Sequence, residues 1–375
     1  MTCFEKVRQR LREWAMRVKD ARGEIIANIT TDTIKDLCGE RYFSLPDKFE
    51  KYIDEFRIKE GALQSIADYR DHFIHPFHVF IIGYYILDQA REMGIKQLKL
   101  IEDDENINLK AWFISSIYHD VGYPADKFED LVRDFFEKCV GRQMSSQFDW
   151  STVLLADDNI MHIDKLSSLF AKRFGDQHQA MIFEKWFHKR LLEEHDHGVL
   201  AALMLCNQGW EEEELNRFVY DAALAIALHS WERSTGKTFA EFNLGSLAIE
   251  KFPLAFFLTY CDYSQEWGRR VLLELKKHEA VPIDVTAPDT RLEDIVVSQS
   301  ETKVTLKYSK LATELITEDK SLDQLFHDFG NKFQSTWHFE DNATPKFIIE
   351  GKDNDNFPIG AVAPRRLQST KKINK

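Results

Sequence analysis

The chain carries imidazole and carboxylate groups where a divalent metal would need them. At His119-Asp120 the two stand side by side at the end of an apolar helix whose inner face is marked by Leu109, Phe113 and Ser116 or Ile117. A buried carboxylate is costly unless it is paired or bound to a metal, and an adjacent histidine makes a natural start for a metal site. Four further positions have the same character. His75 opens a stripe continued by Val79, Ile82 and Ile86. His195 shares a helical face with Val199, Ala202 and Cys206, and His229 ends the face Phe218, Ala222, Ala225. Asp262 follows Leu254 and Leu258 on a face that continues to Glu266 and Arg269. Singly, each is what an ordinary satisfied core residue looks like; their convergence is what points to a site. Nitrogen and oxygen donors without sulfur suit Mn, Mg, Fe, Co, Ni or Zn as the divalent ion, held inside a helical bundle.

The elements that must position these groups are mostly helices with an i, i+3, i+4 apolar pattern. Residues 4–38 read as one or two amphipathic helices, and Leu45-Pro46-Asp47 as a turn and N-cap before another. Pro76 suits the first turn of the helix that carries His75. His78, on the other side of that helix, is expected at the surface or behind the ligands. The His119-Asp120 helix must stop, with Gly122 as a left-handed cap and Pro124 beyond it. Further helices are expected over 126–140, 183–206 and 211–230, with a helix and loops in 141–180. Within 183–206 the spacing turns His195 inward and Asp196 and His197 elsewhere, and Gly198 allows a close approach by another backbone or a ligand. The last strong helix opens at Pro253. From about residue 283 the pattern changes: Ile295-Val-Val and Lys303 to Tyr308 read as a β-hairpin, a helix is expected over 322–339, and short strands flank the turn at 351–356.

Composition limits the function classes. At 375 residues, with 44% hydrophobic and 13% aromatic residues, a large core can be buried. The 16 Gly and 9 Pro are few for a turn-rich all-β fold. A net charge of -13 disfavours general duplex nucleic-acid binding, which needs a basic footprint, but not a small phosphorylated ligand beside a metal ion. The five cysteines are scattered without a CxxC pair, so neither a disulfide framework nor a thiolate zinc site is indicated. No signal-peptide core is recognised, and the apolar runs 222–228 and 252–261 are too short to span a bilayer. The expectation is a cytoplasmic protein with no membrane association.

The ordered set His75 with Val79, His119-Asp120, His195, His229 and Asp262 resembles the HD-domain superfamily of metal-dependent phosphohydrolases. The resemblance covers roughly residues 65–275. It implies a mostly α fold with an HD-domain helical bundle over 65–280; the sequence pattern on either side reads as N-terminal helices (1–64) packed on it, a small C-terminal α+β appendage (281–364) and a basic flexible tail (365–375). The resemblance implies that His75, His119, Asp120 and Asp262 hold one metal ion. His195 and His229 then either hold a second, with Asp120 bridging, or bind phosphate, His195 being the choice for proton donor to the leaving oxygen. Arg269, Arg233 and Lys251 are candidates for contacting substrate phosphate, and His72, where several branches of the family carry Arg, for a supporting role. The activity implied is hydrolysis of a phosphoester or phosphoanhydride of a nucleotide or related small phosphate. A di-iron oxygenase of the same type, and a non-catalytic nucleotide-binding regulatory module, are the competing readings. A homo-oligomer is compatible with all three.

Overall fold

The computed structural model describes residues 74–93, 99–101, 104–123, 157–231 and 247–264, together with strand backbone between 290 and 359. The expected elements at 1–64, 126–140 and 365–375, with His72, Arg233, Glu266 and Arg269, lie outside the described residues. The described part is mostly α-helical. In chain order it contains α1 (Ile74–Glu92), α2 (Glu105–Tyr118), α3 (Asp157–Phe174), α4 (His178–Leu192), α5 (His197–Cys206), the single turn α6 (Glu212–Glu214), a π-helical turn (Leu215–Val219), α7 (Tyr220–His229) and α8 (Pro253–Ser264). No described helix is long and apolar enough to cross a membrane.

α7 lies at the centre and packs against α2, α3, α5 and α8. Its sequence explains why. Ala222, Ala223, Ala225 and Ala227 are all buried, and so are Leu224, Ile226 and Leu228 between them. A helix apolar on every side has no face to offer water, and its small residues let neighbours approach. α1 packs on α2 and α8, and α3 pairs with α4. The α1–α2 contact is fixed by Trp112, fully buried, whose indole donates to the Phe80 carbonyl at 3.0 Å. Gly83 makes room for that ring.

The ends of the helices follow local chemistry. Asp104 caps α2, its carboxylate accepting from the backbone of Asn106 and Ile107. At the other end Gly122 is not left-handed, contrary to the cap expected for it: positive φ among the described glycines belongs to Gly175 and Gly209. Gly122 is needed for another reason. A Cβ there would stand 2.1 Å from the carbonyl oxygen of His197. The single helix expected over 183–206 is two helices, because α4 ends at Leu192 and Asp196 starts α5 as a new N-cap, accepting from the Val199 amide at 3.0 Å. His195, between them, has a φ of 47°.

Six strands complete the description. The expected hairpin is present, with β2 (Thr290–Ser298) antiparallel to β3 (Lys303–Lys310). β5 (Lys346–Lys352) pairs parallel to β3 and antiparallel to β6 (Pro358–Ile359), giving the order β2-β3-β5-β6. Trp337–His338, placed in a helix by the sequence pattern, is instead strand β4, and it pairs in parallel with β1 (Leu247–Ala248) just before α8.

Gly83→Ala tests the tightness of the α1–α2 contact. The new methyl would lie 2.1 Å from the Trp112 ring. The propensity gain of alanine in a helix, roughly 1 kcal/mol, is expected to be overcome by overpacking of about 1–3 kcal/mol. Thermal denaturation should show a lowered Tm; a Tm equal to or above wild type would mean that the two helices separate at little cost.

Candidate metal centre

Helix ends deliver the candidate ligands to one place. His75 lies in the first turn of α1, His119 is the C-cap of α2 with Asp120 in the turn after it, and Asp262 lies near the end of α8. His229 is the last residue of α7, and His197 the first of α5. Their ligand atoms form two groups that share one carboxylate: His75, His119 and Asp120, and Asp120, His197 and His229, each within 4.8 Å. Asp262 joins the first group, with Oδ1 2.7 Å from His75 Nε2 and 3.6 Å from His119 Nε2. His75, His119, Asp120, His197 and His229 are buried, and Asp262 is partly open, its side chain 15% exposed.

The ring nitrogens are oriented by backbone. His119 Nδ1 faces the Ser116 carbonyl at 2.7 Å, and His229 Nδ1 faces that of Ile226. A carbonyl only accepts, so each Nδ1 carries the proton, and in the neutral ring Nε2 is left with its lone pair toward the centre. Those Nε2 atoms meet others: His119 and His75 at 3.3 Å, His197 and His229 at 3.3 Å. Asp120 Oδ1 is 3.6 Å from both His119 and His197, and its Oδ2 is 3.8 Å from His75. Separations of 3.6–3.8 Å are too long for hydrogen bonds. Ligand atoms ~2.1 Å from one ion lie roughly 3.0–3.4 Å apart in octahedral or tetrahedral arrangements, so the observed spacings are near those of converging ligands. The donor set therefore fits one or two divalent ions.

Charge at the site agrees with this. Burial opposes an imidazolium at His119, but Asp120 and Asp262 raise its pKa to about 9. Burial likewise opposes ionised Asp262, yet the neighbouring His119 and His75, the latter bonded to it at 2.7 Å, hold it well below the usual carboxylate range. His229 is lowered by burial and by the neighbouring charge of His119. His78, expected at the surface or in support, is buried, and burial together with His75 lowers it to about 3, so it is a neutral ring.

The structure brings together His75, His119, Asp120, His229 and Asp262 from the sequence-derived set. His195 belongs to neither ligand group. That place is taken by His197, because the chain breaks between α4 and α5 and the apolar face does not run continuously through His195. The missed residue had a marker: Asp196 ahead of the apolar run starting at Val199 is a helix N-cap pattern that makes His197 the first helical residue. The glycine after it is a second marker, since a Cβ on Gly198 would stand 2.8 Å from His229 Cε1 and 2.9 Å from the Ile226 carbonyl oxygen. Lys251 also lies elsewhere. It precedes α8, whose end carries Asp262 about 14 Å further along at 1.5 Å per residue. There its Nζ donates to the Phe174 carbonyl at 3.2 Å and sits over the Phe174 ring.

Compared with known proteins, the chain matches no family model, no curated protein and no solved structure.

The charges set a pH signature. In metal-free protein the raised His119 pKa contributes stability that is complete below about 6.5 and lost as pH rises through about 9. The lowered Asp262 contributes stability that is complete above about 3.8 and lost in acid. Metal binding requires the unprotonated ring. Between pH 6.5 and 9 the metal-free Tm should therefore fall while Mn²⁺ affinity rises. A metal-free Tm that increases over this interval would rule out the pairing of His119 with the two carboxylates.

Proposed function

We propose that this chain is an HD-type metal-dependent phosphohydrolase, cleaving a phosphoester or phosphoanhydride of a nucleotide or related small phosphate. The observation that carries the reading is the pair of buried ligand groups joined through Asp120. His75, His119, Asp120 and Asp262 would hold one ion, and Asp120, His197 and His229 a second. A bound divalent cation lowers the pKa of water from about 15.7 toward 7 and neutralises charge that develops on phosphoryl oxygens. The protein supplies position and exclusion of water. Asp120 fixes the spacing between the two half-sites, and the Nδ1–H bonds of His119 and His229 hold their rings in one orientation. Low exposure of every ligand except Asp262 keeps competing water away from all but one side, so the substrate phosphate approaches past Asp262. Arg269 and Arg233 remain the candidates for contacting that phosphate. A small nucleotide fits the acidic chain better than duplex nucleic acid does.

Chromatographic product analysis on a nucleotide panel with Mn²⁺ tests the reading. Wild type should release phosphate, pyrophosphate or triphosphate, and Asp120→Ala, which removes the carboxylate common to both groups, should lose activity by roughly a thousandfold or more. His197→Ala should be strongly impaired, whereas His195→Ala should keep most of the activity. Wild-type protein that binds Mn²⁺ but turns over no panel member would refute nucleotide hydrolysis. Tightly bound iron with O₂ uptake would then identify the oxygenase alternative.

A further inference from the structure

The residues flanking the two ligands of the Asp120–His197–His229 group are themselves joined. Asp196 precedes His197, and Ser230 follows His229. The Ser230 hydroxyl donates to Asp196 Oδ1 at 2.7 Å. The same oxygen accepts from the Val199 amide at 3.0 Å, so it also caps α5. The other carboxylate oxygen is taken by Arg190 Nη2, while Arg190 Nη1 reaches Glu194. Arg190, Asp196 and Ser230 are 3%, 6% and 2% exposed. One buried carboxylate thus binds the end of α4, the start of α5 and the end of α7.

The packing shows what this connection does. A Cβ on Gly198 would stand 2.9 Å from the Ile226 carbonyl oxygen and from Ser230 Oγ, and 2.8 Å from the His229 ring, so the α5 backbone lies directly against the end of α7 at the ligands. His197 Nε2 and His229 Nε2 stand 3.3 Å apart, a spacing that requires a proton or a cation between two ring nitrogens whose lone pairs would otherwise repel. Beside them the Ser230–Asp196 bond joins the same two helix ends through groups that touch no ion. In the first group His75 and Asp262 bond each other directly, at 2.7 Å.

We infer that Asp196, braced by Arg190 and bonded to Ser230, is a positioning residue that holds His197 and His229 at ligand spacing, making occupancy of the second half-site depend on residues that touch no ion. This rests on the metal-centre reading above. It predicts an asymmetry in which the second ion is lost on loosening the bond while the first is retained.

Ser230→Ala is the mild test, because it leaves the Arg190–Asp196 pair and the α5 cap in place. The probe is Mn²⁺, followed by calorimetric titration and electron paramagnetic resonance of the full chain, with circular dichroism to verify folding. Wild type should bind two ions, with the spin-coupled signal of a carboxylate-bridged pair. Ser230→Ala should bind the first ion as wild type does and the second roughly tenfold or more weakly, about the loss of one hydrogen bond. At one equivalent beyond the first its signal should be mainly that of uncoupled Mn²⁺. Ser167→Ala, which removes a buried hydroxyl bonded to the Ile163 carbonyl in α3, should leave both ions and the coupling unchanged. Two ions bound by folded Ser230→Ala with wild-type affinity and coupling would overturn the positioning role alone. A wild type that binds one ion overturns it too, and one that binds no Mn²⁺ removes the metal-centre reading along with it.

Discussion

A carboxylate at Asp120, 5% exposed, must be balanced by its surroundings, and the placement of the helices around it is the answer to that demand. An isolated buried charge of this kind would be prohibitively costly. Here imidazole nitrogens from three helix ends come within 3.6–3.8 Å of its two oxygens, and Asp262 adds a second carboxylate beside His75 and His119. So much ionisable material in one buried place is stable only with protons or cations shared among the groups. That ties the protonation of the metal-free protein to the metal affinity of the loaded one.

The helices bring the ligands in by their ends, and this is physically economical. The last carbonyls of a helix lack intrahelical partners. His119 at the end of α2 and His229 at the end of α7 each satisfy the carbonyl three residues earlier through Nδ1, and the same bond aims Nε2 inward. Local helix termination and ligand orientation are one interaction. Close contact between backbones completes the arrangement. Gly122 lies against the His197 carbonyl and Gly198 against the end of α7, so two turns that carry ligands touch without intervening side chains.

Much of the centre was legible in the chain. His75, His119, Asp120, His229 and Asp262 each terminate or open an apolar stripe of regular period; His75, His229 and Asp262 lie within their helices, and His119-Asp120 directly follows the last turn of α2. Periodicity is a local property, so it carries over from sequence to structure. The hairpin β2–β3 was readable for the same reason. Failures occurred where continuity did not hold. The stripe of α5 extended backwards reaches His195, but His195 has a φ of 47° and the N-cap Asp196 restarts the helix after it. Trp337–His338 followed a helical pattern but took a partner in β1.

The sequence by itself determined the mostly helical class, the donor chemistry of nitrogen and oxygen without sulfur, and which helix ends carry it. These depend on residue type and on spacing within one segment. Only the tertiary structure decided that the donors divide into two groups sharing Asp120, that His197 and not His195 completes the second, and that Lys251 bonds Phe174 far along α8 from Asp262. Those facts depend on how separate helices cross. Crossing is set by the alanine-rich surface of α7, by glycines under neighbouring backbones, and by bonds such as Asp196–Ser230 between residues 34 apart in the chain.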